Sequence, residues 1–380
     1  MSISYNKVMT RIHLATLCAN YQFLQKQAAQ PIAVIKADAY GHGLKEVAAA
    51  LVETGAREFA VGTAGEGALL REEFQGPIVA LLGTMDKEDC RQVWEHDLIP
   101  LIHRPGQCRE IAEAGPREGT LRVALKFDTG MSRLGFSPEE SAQVVQELEK
   151  CPNLKVDMVC SHLACADEPE SEEFVRVQAS RFRDLCRMIG SQGHRFRECL
   201  VNSAGILAYP DLHLDAQRPG IALYGSNPFA GTAWEAKGKG LIPAMETVTT
   251  VVAVHELQKG RSISYGRTFT ADRDMRVAIV AAGYADNYSR GLSNVGQVLV
   301  RGRRASILGR VCMQLTAVDV TAHPGVAPAD PVHLLGGEGP EAISPEELAS
   351  WWGTITYEVF CLLGQNRRVY LRGDESEGQQ

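Results

Sequence analysis

From residue 10 to about residue 224, short apolar runs alternate with windows in which apolar residues recur every three or four positions. The runs are "IAVIKA", "EFAVGT", "PIVALLG", "LIPLIH", "LRVALKFD", "VDMVCSHLA", "ECLVNSA" and "DAQRPGIALYG", eight candidate strands in all. Most are separated by helical patterns such as "KEVAAALVETG", "CREIAEAG" and "EEFVRVQASRFRDLCRMIGSQG", each closing in glycine as helix ends tend to do. Continuous apolar strands alternating with helices predict a parallel sheet covered on both faces. Eight such units in about 220 residues fit a closed (β/α)8 TIM-type barrel better than an open sheet.

After the connector "YGSNPFAGTAWEAKGKG" the pattern changes. "METVTTVVAVHEL", "MRVAIVAAGY", "GQVLVRGRRASILGRVCMQLTAVDV" and "DPVHLLGG" are β-branched and closely spaced, with no helical windows between them. They predict a mostly β, mostly antiparallel C-terminal domain over residues 239–380 behind an α/β barrel over residues 1–238. The polar tail "LRGDESEGQQ" reads as disordered, and its RGD tripeptide as coincidence.

Composition narrows the class. Hydrophobic residues at 45% and charged residues at 22% suit a globular, cytoplasmic protein with a sizeable core. A net charge of -7 argues against a nucleic-acid partner, and the basic run "RGRRASILGR" reads as two strands around a turn. Ten cysteines scattered without a CxxC pair, and no signal-peptide pattern, predict free and mostly buried thiols. No stretch reaches 18 apolar residues, so no membrane-spanning helix is expected.

In such a barrel chemistry sits at the C-terminal ends of the strands. Lys36 ends the first candidate strand, His162 the sixth, and Asn202 and Ser203 the seventh, while Arg218 falls near the start of the eighth. A lysine desolvated beside a guanidinium loses its proton more easily, and the neutral amine forms Schiff bases. "NSAG" and "RPGIALYG" follow strands seven and eight, where these barrels bind phosphate. A Schiff-base lysine facing a phosphate cup describes a pyridoxal phosphate site. Position alone leaves phosphate-sugar enzymes and ordinary structural lysines open beside it.

At these residues the sequence resembles the alanine racemase family. "AVIKADAYGHG", "LKFDTGMSRLGF", "SHLACAD", "NSAG", "RPGIALYG", "SYGRTF", "GYADNYSR", "GRVCM" and "TITYEVFC" stand in the family's order over nearly the whole chain. The resemblance implies a pyridoxal phosphate barrel with a C-terminal β domain, assembled as a head-to-tail homodimer with shared active sites and using no metal. It also implies interconversion of L-alanine and D-alanine, with D-alanine supplied for peptidoglycan.

Carried over by the same resemblance, Lys36 would hold the cofactor through a Schiff base. Tyr40, Ser203, the backbone of Gly220 and Ile221, and Tyr357 would hold its phosphate, with His162 and Asn202 also lining the cofactor. Arg218 would face the pyridine nitrogen and leave it unprotonated, because a guanidinium cannot give up its proton; side reactions such as transamination would then be limited. Lys36 would serve the D-enantiomer as base, and Tyr265 of a second copy the L-enantiomer. His162 would link Tyr265 to Arg218 and lower the phenol pKa. Arg133 and the Met313 N–H would bind the substrate carboxylate, Tyr284 and Tyr357 would narrow the pocket to about a methyl group, and Lys126 matches a lysine that the family often carbamylates.

Two positions depart from the family pattern. Gln314 stands where an aspartate commonly follows the methionine, and Cys165 where a small residue is expected at the entrance. Three rival functions remain at this stage. A decarboxylase of the same barrel would pair the ring nitrogen with a carboxylate, and a non-catalytic cofactor carrier would lack the β domain. A serine or broad-specificity racemase would differ only in pocket size.

Overall fold

The computed structural model describes residues 6–28, 30–116 and 118–373; the end of the polar tail, from residue 374, lies outside the described residues. Contacts divide the chain into two compact units, one formed by Cys18–Ala39 and Leu44–Leu241 and the other by the chain up to Leu17, Tyr40–Gly43 and everything from Ile242 on.

In the first unit the eight expected strands are Ala33–Val34, Phe59–Val61, Ile78–Ala80, Ile99–Ile102, Leu121–Lys126, Leu154–Cys160, Arg197–Asn202 and Ala216–Arg218. They pair in sequence order, every pair parallel. The ends meet where the Ile32 N–H donates to the Gln217 carbonyl at 2.7 Å and the Val34 N–H to the Pro219 carbonyl at 2.9 Å. The unit is thus a nearly closed barrel of the TIM type. Its short strands are buried on both faces, as the unbroken apolar runs require.

The helices between them follow their sequence signals. Thr63 and Glu66 form a reciprocal cap on the helix Ala64–Arg71. The helix Glu172–Ser191 buries Val175, Gln178, Ala179, Phe182, Leu185, Cys186 and Ile189, one stripe at helical spacing.

One position differs from expectation. Arg218 is the last residue of the eighth strand, not near its start, because Pro219 has no N–H to continue a ladder and Ile221–Tyr224 coil into a short 3-10 turn. The run "DAQRPGIALYG" is therefore half strand and half turn, and Arg218 moves to the same rim as the other strand-end residues.

The second unit is mostly β. Its central strand, Met245–Leu257, pairs antiparallel with Met9–His13, Met275–Val280 and Pro331–Leu335. Met9–His13 also pairs parallel with Arg367–Leu371, so the start of the chain contributes a strand to this sheet. The basic run forms the expected hairpin: Gln297–Val300 pairs with Arg303–Ser306 across a two-residue turn in which Arg301 and Gly302 have φ 50° and 71°. Its arginines are engaged internally. Arg301 donates to the Gly325 carbonyl, Arg303 to the Ala322 carbonyl and Arg304 to the Glu347 carboxylate, each at 2.8 Å. Two helices, Pro345–Trp352 and Thr356–Leu363, complete the unit.

All ten cysteines are free thiols, six of them buried. Among the described residues no helix is long and apolar enough to cross a membrane.

Candidate active site

The first barrel strand ends in an unusual turn. Ile35 still donates to the Ala60 carbonyl at 2.8 Å, and Lys36 follows it. Ala37, Asp38, Ala39 and Tyr40 then all have φ 53°, a left-handed turn that costs non-glycine residues roughly 1–2 kcal/mol each. Glu66 holds it in place. One carboxylate oxygen accepts the Ala37 N–H at 2.7 Å, and the other accepts the Gly62 N–H, also at 2.7 Å. Asp38 adds a bond from the Leu44 N–H at 2.7 Å. A Cβ at Gly62 would come within 2.9 Å of Glu66 Oε2 and push the carboxylate off this position. Lys36 thus leaves the barrel on a braced, strained segment.

Six further candidate side chains stand on the same rim. Lys126 ends the fifth strand, buried, with Nζ donating to the Phe127 carbonyl at 2.8 Å; burial pulls its pKa down to about 8. Just beyond it, Asp128 caps the loop that carries Arg133, accepting the Gly130 N–H at 2.8 Å and the Arg133 N–H at 3.0 Å. Burial alone would raise the Asp128 pKa, but these backbone bonds hold it below the usual value. Arg133 is exposed and lines a cleft of about 860 Å³ with His103, Asp128 and Arg181.

Arg218 is buried, and its Nη2 donates to the Ser161 carbonyl at 2.5 Å and approaches His162 Nδ1 at 3.5 Å. The His162 pKa is pushed well below its ordinary value, first by burial and then by the charges of Arg218, Arg133, Lys126 and Lys36. His162 is therefore neutral at neutral pH, able to accept a bond at one nitrogen and donate at the other. Asn202 caps the helix Ser203–Ala208 through the Gly205 N–H at 3.0 Å. Ser203 Oγ gathers the eighth-strand loop, accepting from Gly220 N–H at 2.9 Å and Ala222 N–H at 3.2 Å. Ile221 opens the turn between them.

The remaining candidates lie in the β-rich unit. Tyr40 and Tyr357 stand together with ring centroids 5.8 Å apart. Tyr265 is 70% exposed and Met313 58%, with Tyr284 and Gln314 also at the surface. The loop before Tyr265 is tied down by Ser264, whose hydroxyl donates to the Arg310 carbonyl at 2.6 Å. Tyr284 and Met313 are held side by side: the Tyr284 N–H donates to the Cys312 carbonyl at 3.1 Å and the Ala285 N–H to the Met313 carbonyl at 2.8 Å. Gly283 permits this approach, because a Cβ there would stand 2.2 Å from the Cys312 carbonyl.

Lys36, Lys126, Arg133, His162, Asn202, Ser203, Arg218 and the Gly220 loop therefore share one barrel rim. Tyr40 with Tyr357, and Tyr284 with Met313, form close pairs in the other unit. Cys165 is half-buried beyond the sixth strand, its thiol pKa raised by burial. Sequence reasoning missed Glu66 and Cys199. The Thr63-x-x-Glu66 capping box signals the first, but nothing in the sequence marks Cys199, whose sulfur lies 2.7 Å from Arg218 Nη1.

Residues 12–228 match the family described as alanine racemase, N-terminal domain, and residues 244–370 the alanine racemase C-terminal domain. The alanine racemase of Nitratidesulfovibrio vulgaris strain DP4 is 51% identical over 377 residues, spanning 99% of this chain and 100% of its own. The crystal structure of alanine racemase from the D-cycloserine producer Streptomyces lavendulae is similar at 32% identity with a TM-score of 0.90, covering 98% of this chain and 99% of its own. That from Bartonella henselae, solved with covalently bound pyridoxal phosphate, is 25% identical with a TM-score of 0.85, covering 96% of this chain and 99% of its own. Fold and relatives together define an enzyme of the amino-acid racemase class. Within that class the chain belongs to the alanine racemase family.

Proposed function

We propose that this chain interconverts L-alanine and D-alanine with pyridoxal phosphate, working as a cytoplasmic homodimer whose sites draw on both copies. The observation that carries the reading is the rim of the barrel, where Lys36, Lys126, Arg133 and Arg218 stand at or just beyond strand ends, with Arg218 3.5 Å from His162 Nδ1. Such a concentration of cations suits an anionic cofactor and an amino-acid carboxylate. The donor set also fits the cofactor. Ser203 Oγ and the N–H groups of Gly220 and Ala222 that donate to it cluster where a phosphate would draw on the same donors, Lys36 supplies an amine just before a braced turn, and Arg218 offers a cation that cannot lose its proton.

Bound there, pyridoxal phosphate supplies the electron sink that makes the Cα proton of an amino acid acidic. Lys36 holds the cofactor and moves the proton on the Cα face used by D-alanine. Tyr265 of a second copy moves it on the opposite face, serving L-alanine. His162 relays between Tyr265 and Arg218, while Tyr40, Tyr357, Ser203, Asn202 and the Gly220 and Ile221 backbone secure the phosphate end. Arg133 and the Met313 N–H bind the substrate carboxylate, and Tyr284 limits the side chain to about a methyl group. Lys126 presents an amine whose pKa of about 8 leaves a usable fraction unprotonated for carbamylation, which would orient Arg133. The barrel unit, Cys18–Ala39 with Leu44–Leu241, carries Lys36 and the cofactor, and the β-rich unit supplies Tyr265 to the partner's site. The D-alanine formed supplies peptidoglycan.

The test is racemisation of L-alanine and L-serine, side by side, by enzyme reconstituted with pyridoxal phosphate, followed by borohydride reduction and peptide mapping. Alanine is expected to turn over faster and the pyridoxyl group to map to Lys36. Comparable kcat/KM on serine would replace the alanine reading with a broad-specificity one, and an adduct on another lysine would sink the site.

A further inference from the structure

Arg218 is a buried cation without a carboxylate: it takes part in no ion pair among the described residues, and only 6% of its surface is exposed. Its donors go instead to the carbonyls of Ser161, Cys199 and Leu200, at 2.5, 3.2 and 3.5 Å. Two side chains complete the set. His162 Nδ1 stands at 3.5 Å, a marginal contact, whereas Cys199 Sγ, at 2.7 Å, is pressed directly against Nη1, closer than a relaxed N–H···S bond. Cys199 lies in the seventh strand, fully buried, and its backbone and side chain both accept from the same nitrogen, Nη1. A single carbonyl restrains one direction only. The sulfur adds a second point on Nη1 and so limits rotation of the guanidinium about its own axis.

We propose that Cys199 is a positioning residue, whose sulfur sets the angle at which Arg218 presents its remaining N–H, on Nε, to the ring nitrogen of the cofactor. This rests on the reading above, in which Arg218 faces that nitrogen. Burial pushes the Cys199 thiol up to about 11, so it orients Arg218 as a neutral acceptor and leaves the positive charge of the guanidinium uncancelled at the mouth of the barrel. A carboxylate in its place would hold the arginine as firmly but would neutralise it.

The experiment titrates full-length apoprotein, followed by absorbance and fluorescence, with pyridoxal phosphate and with an analogue whose ring nitrogen is replaced by a C–H group. Wild type, Cys199→Ala and Cys199→Ser are compared. Wild type is expected to prefer the nitrogen-containing ring. Cys199→Ala should lose about tenfold in affinity for pyridoxal phosphate, the scale of one hydrogen bond that is misaligned or lost, and less than about twofold for the analogue. Cys199→Ser, which keeps a shorter acceptor, should fall between, and it carries the test if the alanine variant does not fold. Equal losses for both ligands, or no loss for either, would overturn the inference while leaving racemisation by the wild type to stand. If wild type itself shows no preference for the ring nitrogen, the placement of Arg218 fails, and the role of Cys199 fails with it.

Discussion

Nη2 of Arg218 lies 3.5 Å from Nδ1 of His162, so a permanent cation faces an imidazole that burial already keeps neutral. Two effects of the same sign act on His162, with burial the larger. Removing Arg218 should therefore raise the His162 pKa while leaving it below 6.5. Histidine NMR titration of Arg218→Gln, with His162→Gln to assign the signal, reads this directly. Arg218→Lys keeps the charge and should leave the midpoint near that of the wild type. A midpoint that falls or stays put in Arg218→Gln would remove Arg218 from the electrostatics of the site.

Glu66 offers a second handle, away from any reacting atom. Its two oxygens bind the N–H groups of Ala37 and Gly62, bracing four successive residues at φ 53°. Glu66→Gln turns one oxygen into a donor and leaves an N–H without an acceptor. The expected cost is about 1–3 kcal/mol of stability, seen as a lower denaturant midpoint with an unchanged slope. Activity should fall with it, because the turn carries Lys36. Full stability and activity in this variant would show that the turn holds itself.

Lys126 makes a prediction about pH. Its folded pKa, about 8, lies below the unfolded value near 10.5, so the unfolded chain binds more protons between these limits and stability rises with pH across them. Below pH 8 the buried charge destabilises the fold by up to roughly 3 kcal/mol. Lys126→Met should thus be more stable than wild type at pH 7, by less than that bound because the bond to the Phe127 carbonyl is lost, and the gain should vanish above about pH 10.5. Denaturant titrations in carbon-dioxide-free buffer at pH 7 and pH 11 measure it. A gain that persists at the higher pH would mean that packing, not charge, is responsible.

The shared-site dimer is tested by mixing. Lys36→Ala and Tyr265→Ala chains, each inactive alone, are unfolded and reassembled together at equal concentration. Random pairing makes about half the dimers mixed, each with one site that has both bases, so activity should return to about a quarter of wild type. Size-exclusion chromatography must show that both variants fold and exchange subunits. No recovery under those controls defeats the shared site.

The sequence by itself determined the eight parallel strands, the change to a β-rich second half, the hairpin in the basic run and the strand-end positions of Lys36, His162, Asn202 and Ser203. These follow from periodicity and from the rule that barrel chemistry sits at strand ends, both local or one-dimensional properties of the chain. Tertiary structure decided the rest. Arg218 reached the rim only because Pro219 ends its strand. Met9–His13 found its partners in strands that begin 232 or more residues further along, a pairing no local pattern encodes. The left-handed turn after Lys36 is braced by Glu66, 29 residues from Ala37, which accepts the Ala37 N–H. Cys199 meets Arg218 because neighbouring barrel strands bring together residues 19 apart in the chain. Each of these depends on groups far apart in sequence completing one another's hydrogen bonds, and that is settled only when the backbone closes on itself.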